Sequence, residues 1–152
     1  MRCYFDIETS GNIELTVAGI YFEDGRFVQL IGPDIGYNEL YELLDNTVVY
    51  TYNGSRFDIP VVYRCTGLKI DSIARSHDLM YDCWRKNLYG GLKKVEKVLG
   101  IERETEGMNG HDAVILWERY TRGDRKALDT LLRYNRDDVI NLELLRKKLE
   151  VF

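Results

Sequence analysis

The chain has 152 residues, the usual size of one folded domain. Hydrophobic residues make up 45% of it and charged residues 30%, which is ordinary for a globular protein and excludes a fibrous or low-complexity chain. The 21 basic and 25 acidic residues give a net charge of −4, so the basic composition typical of many nucleic-acid-binding domains is absent. Bound metal ions would neutralise the acidic residues that hold them, so the negative net charge does not exclude a nucleic acid as the partner.

The cysteine pattern and the N-terminus indicate the cellular setting. Cys3, Cys65 and Cys83 are odd in number and form no closely spaced pair, so neither a disulfide framework nor a zinc site is predicted. The sequence shows no signal-peptide pattern and no apolar run of about 18 residues. We therefore expect a soluble, cytoplasmic protein.

The first half of the chain is rich in strand patterns. Residues 1–9, 14–22 and 26–32 are rich in apolar, β-branched and aromatic side chains, which predicts three strands. The short turn EDGR joins the second strand to the third, so this pair should be antiparallel. Helical spacing of leucines predicts a helix over 37–45, and the run TVVYTYN predicts a fourth strand over 47–53.

The second half is mainly helical. A first-turn proline and a terminal glycine predict a short helix over 56–67, and a short strand is predicted over 74–78. Apolar periodicity predicts three further helices, over 92–100, 112–120 and 124–150. This order predicts an α/β fold, in which helices flank a mixed sheet of about five strands. We expect the first strand to be central, with the hairpin to one side and the fourth strand beside it.

The segment YFDIETSG, residues 4–11, contains two carboxylates on the first strand. Asp6 and Glu8 are two residues apart, so they lie on one face of the sheet, while Phe5 and Ile7 lie on the other. Such neighbours repel unless a positive charge lies between them, and a divalent cation with oxygen ligands would provide it. A pair of solvated acids at a strand end is the alternative, because this short pattern is common.

The segment YNGSRFDIP, residues 52–60, is a strand-to-helix turn. Asn53 and Gly54 end the strand, and Asp58 opens the helix. An acid in the first turn is stabilised by the helix dipole, which would explain Asp58 on structural grounds alone. The turn also lies at the carboxyl end of a strand, where ligands of α/β sheets collect. Both interpretations of Asp58 remain open at this point.

The segment RYNRDDV, residues 133–139, lies on the last predicted helix. Tyr134 and Asp138 are four residues apart and therefore share one helix face. Asp137 is rotated away from Asp138 by about 100°. If Tyr134 faces a site, Asp138 faces it as well, and Asp137 is predicted to face solvent. A helix surface with both aspartates in water is the alternative.

Taken together, the patterns Asp6-x-Glu8, Asn53-x-x-x-Phe57-Asp58 and Tyr134-x-x-x-Asp138 resemble the DEDDy branch of the DnaQ-like 3′–5′ exonucleases. These enzymes belong to the ribonuclease H-like superfamily. The stretches most similar to its YprB-like ribonuclease H-like domain are SRFDIPVV (55–62), YGGLKKVEKVLGI (89–101), GHDAVILWERYTRGD (110–124) and LLRYNRDDVINLELL (131–145). The similarity covers nearly the whole chain, so a single ribonuclease H-like exonuclease domain over 1–152 is expected.

The resemblance implies a metal-dependent 3′–5′ exonuclease that releases nucleoside 5′-monophosphates from DNA or RNA by a two-metal mechanism. Asp6, Glu8 and Asp138 would hold one Mg²⁺ or Mn²⁺ ion. Asp6 would hold a second ion together with Asp58, which would act through water. Tyr134 would orient the attacking water.

The resemblance also indicates the substrate and its contacts. The expected partner is a single-stranded nucleic acid or a 3′ end. The residues expected near the terminal nucleotide are Thr9, Ser10, Gly11, Asn53 and Phe57. Phe57 has an alternative interpretation as a core residue, and His77 and His111 are expected to have structural roles.

Three other functions fit the same residues. The domain would be a nucleic-acid-binding or interaction module if its catalysis were weak or lost. The second alternative is a structure-specific endonuclease of the same superfamily. The third is a small-molecule phosphodiesterase that uses the same metals. The choice between DNA and RNA and the oligomeric state remain open from the sequence.

Overall fold

The computed structural model describes residues 1–152 and contains one sheet and six α-helices. The strands are β1 (Arg2–Thr9), β2 (Leu15–Phe22), β3 (Phe27–Ile31), β4 (Val48–Thr51) and β5 (Arg75–Asp78). The helices are α1 (Tyr37–Leu44), α2 (Asp58–Thr66), α3 (Leu79–Arg85), α4 (Leu92–Leu99), α5 (Gly110–Thr121) and α6 (Arg125–Lys148). None of the helices combines the length and the apolar character needed to span a lipid bilayer.

The sheet has the strand order β3-β2-β1-β4-β5, so β1 is its central strand. The hairpin of β2 and β3 lies on one side, with β2 antiparallel to β1. On the other side β4 is parallel to β1, and β5 is parallel to β4. The predicted five-stranded mixed sheet flanked by helices, with a central first strand, is therefore confirmed.

Helix α3 is the one α-helix that the sequence patterns do not predict. It has only seven residues, which is too short to show a helical period. It begins directly after β5, where the Asp78 side chain accepts a hydrogen bond from the backbone of Met80 as an N-cap. The other predicted strands and helices are present, with ends that differ from the predicted ones by at most two residues.

The two faces of β1 belong to different parts of the core. Phe5 and Ile7 pack in a large apolar cluster on one face, as the alternation along the strand predicts. Tyr4 lies on the opposite face, in a second apolar cluster that includes Val139 and Leu142 of α6. Helix α6 thus covers the face of the sheet that also carries Asp6 and Glu8.

Gly19 allows α6 to approach the sheet closely. It lies on β2 directly opposite Asp6 in the strand pairing. A Cβ atom at this position would lie 2.8 Å from Cγ2 of Val139 and would overlap the side chain of Asn135. The absence of a side chain at Gly19 therefore leaves room for α6 to pack close to the carboxylates of β1.

We expect Gly19→Ala to destabilise the fold by about 1–3 kcal/mol, because the added methyl group must push α6 away from β2. Thermal or chemical unfolding measures this change. Gly110→Ala is the matched control, since a Cβ atom there meets nothing within 4 Å. Equal unfolding free energies for the two variants would contradict the close approach of α6.

Candidate metal centre

Three carboxylates from two elements converge on the α6 side of the sheet. One oxygen each from Asp6 and Glu8 of β1 and from Asp138 of α6 lies within 4.8 Å of the other two. Glu8 is only 7% exposed and Asp138 only 5%, while Asp6 is partly exposed. Three clustered carboxylate oxygens are the hard donor set that Mg²⁺ and Mn²⁺ prefer.

The electrostatics of the cluster also fit a bound cation. Burial raises the pKa of Glu8 from 4.5 to about 8, and the charge of Asp138 adds to this rise. The pKa of Asp6 is raised well above its ordinary value, first by burial and then by the charges of Glu8 and Asp138. In the absence of a cation these two groups favour the protonated form. A divalent ion would supply the positive charge that the site lacks.

Asp58 lies next to this cluster without being part of it. It is the first residue of α2 and is buried, and its Oδ2 accepts a hydrogen bond from the backbone N–H of Ile7 at 3.0 Å. Burial raises the pKa of Asp58 to about 7, although the Ile7 hydrogen bond opposes the rise. Asp58 therefore joins the start of α2 to the strand that carries Asp6 and Glu8.

These raised pKa values predict how the stability of the metal-free protein depends on pH. Glu8 has an ordinary pKa of 4.5 and a folded-state pKa of about 8. The folded state therefore binds this proton more tightly than the unfolded state, so stability falls as the pH rises between these two values. Asp58, with a folded-state pKa of about 7, contributes in the same direction.

We therefore expect the unfolding temperature of the chelator-treated protein to fall between about pH 5 and pH 8. Excess Mg²⁺ or Mn²⁺ should reduce this fall, because the ions bind the folded form. Calorimetry of the native protein and of Glu8→Gln measures the effect, and the variant should show a flatter pH dependence. A metal-free native protein that is more stable at the higher pH would contradict the prediction.

The helix register places Tyr134 and Asp138 together, as predicted. Both side chains are buried, and the charge of Asp138 acts on Tyr134. The prediction that Asp137 faces solvent is wrong. Its Oδ2 accepts hydrogen bonds from the backbone N–H of Thr105 at 2.8 Å and from its hydroxyl at 2.6 Å. The segment after α4 folds over α6, and Asp137 anchors it there.

Asn135 orients the two carboxylates of β1. Its buried Nδ2 lies 3.3 Å from Oδ2 and the backbone oxygen of Asp6 and 3.3 Å from Oε2 of Glu8. Its Oδ1 accepts a hydrogen bond from Gln29 at 3.0 Å. The sequence patterns above do not single out this residue. The available signal is its spacing of three residues from Asp138, which places both on one helix face.

Tyr134 lies in a cationic environment beside the carboxylates. The Nζ of Lys93 lies 4.7 Å from the centre of its ring, and the guanidinium carbon of Arg103 lies 5.6 Å from it. Burial, followed by the charge of Asp138, raises the pKa of the Tyr134 hydroxyl above its ordinary value of 10. The hydroxyl therefore stays protonated at neutral pH and can act as a hydrogen-bond donor.

Hydrogen bonds to Asp78, the last residue of β5, fix the turn between β4 and α2. Asn53 has a positive φ of 61°, and its backbone N–H donates to Asp78 at 2.8 Å. The hydroxyl of Ser55 donates to the other oxygen of Asp78 at 2.7 Å. The side-chain oxygen of Asn53 is buried without a hydrogen-bond partner. Phe57 is 37% exposed, so its interpretation as a core residue is wrong.

The remaining candidate residues lie on β1, in the turn after it, on β5 and at the start of α5. Thr9, the last residue of β1, and Ser10 are half-buried, and Gly11 is exposed in the turn that leads to β2. His77 pairs with Asp82 at 2.5 Å. His111 is exposed in the first turn of α5.

Residues 3–150 match the family model RNase_H_2, which describes the RNase H superfamily. The chain therefore belongs to the RNase H superfamily. No curated protein matches the chain.

The fold is similar to that of solved structures. One is a family B DNA polymerase from the hyperthermophilic archaeon Pyrobaculum calidifontis, with 19% sequence identity and a TM-score of 0.74. The match covers 98% of this chain but 24% of the polymerase, so this chain spans about a quarter of that protein. The EXD2 exonuclease domain soaked in Mn and GMP has 17% identity and a TM-score of 0.45, with 99% of this chain and 82% of that chain covered.

Proposed function

We propose that this protein is a metal-dependent 3′–5′ exonuclease of the DEDDy, YprB-like type, with residues 1–152 as its single catalytic domain. The supporting observation is the convergence of Asp6, Glu8 and Asp138, with Tyr134 on the same face of α6 as Asp138. Membership of the RNase H superfamily supports a nuclease-type function. The substrate would be DNA or RNA, and the products would be nucleoside 5′-monophosphates.

The carboxylates would divide between two divalent ions. Asp6, Glu8 and Asp138 would hold one Mg²⁺ or Mn²⁺ ion, and Asp6 would hold a second with Asp58 acting through water. The bound ions would supply positive charge that acidifies the attacking water and stabilises the phosphodiester in the transition state. The amide of Asn135 would keep Asp6 and Glu8 in the orientation that they have on β1.

Tyr134 would orient the attacking water. Its hydroxyl makes no hydrogen bond within the chain and therefore has a free donor. Because its pKa lies above the ordinary value of 10, the hydroxyl holds its proton at neutral pH. A donor fixed on the rigid α6 helix positions a water molecule without taking a proton from it.

The terminal nucleotide would lie against the β4–α2 turn and the turn after β1. Phe57 is partly exposed beside Asp58, and exposed aromatic rings can stack bases with little sequence preference. Asn53, whose side-chain oxygen is buried, would contact the sugar or the last base only after its side chain turned outward. The backbone of 9–11 would provide further contacts. The acidic net charge of −4 predicts weak, salt-sensitive binding.

Labelled linear and circular substrates test the proposed polarity. With Mn²⁺, we expect a 5′-labelled single strand to give a ladder of progressively shorter products and a 3′-labelled one to release labelled mononucleotide at once. A circular single strand should remain intact. Cutting of the circle would indicate an endonuclease, and binding without cleavage would indicate an interaction module. Hydrolysis of mononucleotide esters alone would indicate a small-molecule phosphodiesterase.

A further inference from the structure

Arg103 is a buried cation between two buried carboxylates. It lies in the segment after α4, and its side chain is 6% exposed. Its Nε and Nη2 donate to the two oxygens of Glu96 at 3.0 and 3.2 Å. The same Nη2 also donates to Oδ1 of Asp138. Arg103 therefore connects α4 to a carboxylate of the candidate metal centre.

The side-chain amide of Asn141 holds Glu96, the residue that in turn holds Arg103 beside Asp138. The side chain of Glu96 is 2% exposed. Its Oε2 accepts a hydrogen bond from Nδ2 of Asn141 at 2.8 Å, and that amide also donates to the backbone oxygen of Glu102 at 3.1 Å. The resulting chain of contacts runs from Asn141 through Glu96 and Arg103 to Asp138.

This network is a costly way to stabilise a fold. The charges of Arg103, Glu96 and Asp138 all lose hydration, and Nη1 of Arg103 is buried without a partner. Apolar side chains of similar volume often stabilise a protein as well as a buried ion pair or better. Stability alone is therefore a weak explanation for this arrangement.

We propose that Arg103 is a positioning residue that fixes the Asp138 carboxylate for metal binding. This inference rests on the assignment of Asp138 as a metal ligand in the proposed function. Oδ1 of Asp138 receives Arg103 and, at 3.4 Å, Nζ of Lys93. Oδ2 of Asp138 has no hydrogen-bond partner within the chain and remains available to a cation. Hydrogen bonds to one oxygen hold the carboxylate in a single orientation and leave the other oxygen free.

Orientation, rather than charge, is the main effect expected of Arg103. A lone cation beside the centre would repel a divalent ion and weaken its binding. The carboxylate of Glu96, which accepts two hydrogen bonds from the guanidinium, offsets its charge and so reduces this repulsion. A lysine at this position would keep the charge but lose the planar fork that reaches both carboxylates. Arg103→Lys therefore separates the two effects.

A direct contact with substrate is not the role that the structure gives Arg103. Arg103 and Lys97 line an open cavity of about 490 Å³ beside α4. The Arg103 side chain is almost fully buried, and two of its three nitrogens are held by Glu96 and Asp138. Lys97, by contrast, is exposed on the same cavity wall and makes no contact with Asp138. Lys97→Met therefore serves as a matched control.

The test is Mn²⁺ binding in the absence of nucleic acid. Isothermal titration calorimetry would compare the native protein, Arg103→Lys and Lys97→Met, with circular dichroism as a check on folding. We expect Arg103→Lys to weaken Mn²⁺ binding by about 10- to 100-fold and Lys97→Met to leave it unchanged. Raised Mn²⁺ should restore most of the kcat of Arg103→Lys, because the loss lies in metal affinity. Native Mn²⁺ affinity in folded Arg103→Lys would overturn the proposal.

A second variant covers the case in which Arg103→Lys fails to fold. Glu96→Gln keeps the size of the side chain but removes the charge that holds the guanidinium. We expect weaker Mn²⁺ binding in this variant too, and native affinity would overturn the proposal. The two proposals fail in different ways. Native Mn²⁺ binding that depends on Asp138 but gives no hydrolysis would defeat the exonuclease alone, whereas hydrolysis with unaltered affinity in Arg103→Lys would defeat the role of Arg103 alone.

Discussion

We expect Asp138→Asn to lower nuclease activity by more than about a hundredfold, because a metal ligand matters more than the groups that orient it. Asp137→Asn should keep most of the activity. The two aspartates are adjacent, but Asp138 joins the carboxylate cluster while Asp137 binds Thr105. The rate of nucleoside monophosphate release measures both effects. The reverse pattern would mean that the wrong face of α6 has been assigned to the site.

The unfolding free energies of Asp137→Asn and Asp138→Asn provide a control that is independent of activity. Asparagine at 137 can still accept a hydrogen bond from Thr105 through its amide oxygen. We therefore expect Asp137→Asn to lose only about 0.5–1.5 kcal/mol of unfolding free energy, the usual contribution of a hydrogen bond. In the metal-free protein, Asp138→Asn should remain folded, which chemical unfolding can establish. A loss of activity in a folded Asp138→Asn variant then reports on the site and not on the fold.

We expect Tyr134→Phe to lower kcat by about a hundredfold, the loss that a misplacement of a reacting group by about 1 Å can cause. The Tyr134 hydroxyl has no partner within the chain, so its removal should change stability and Mn²⁺ affinity little. Single-turnover rates at saturating Mn²⁺ measure the chemical step.

Tyr41→Phe is the matched control for Tyr134→Phe. Tyr41 is exposed on α1, which packs on the opposite face of the sheet. The Tyr41→Phe variant should therefore have native kcat and native Mn²⁺ affinity. If Tyr134→Phe cuts nucleic acid as fast as Tyr41→Phe, the hydroxyl of Tyr134 has no part in orienting water.

Local periodicity explains why much of the fold could be predicted. The period of two residues along the first strand separates Asp6 and Glu8 from Phe5 and Ile7. The short turn between β2 and β3 leads to an antiparallel pair, as observed. Helix α3 escaped prediction because seven residues carry no helical period. The sequence feature that best indicates its start is the N-cap residue Asp78, but Asp78 also belongs to the strand pattern of β5.

The candidate site could be predicted only in part. Spacing alone placed Tyr134 and Asp138 on one helix face, because both residues belong to one regular element. The contacts of Asp137 and Arg103 depend on how the segment after α4 folds over α6. That segment has no periodic pattern, and Arg103 lies 35 residues from Asp138. A charged residue in an irregular segment gives no sequence signal of its distant partner.

The most direct test of the proposed function compares the native protein with Asp6→Ala on 5′-labelled single-stranded DNA and RNA in Mg²⁺ or Mn²⁺. Asp6 is assigned to both ions, so its loss should remove the activity of the whole centre. We expect the native protein to shorten the strands from their 3′ ends and a folded Asp6→Ala variant to leave them intact. Degradation by Asp6→Ala at the native rate would contradict the assignment of this carboxylate cluster as the catalytic centre.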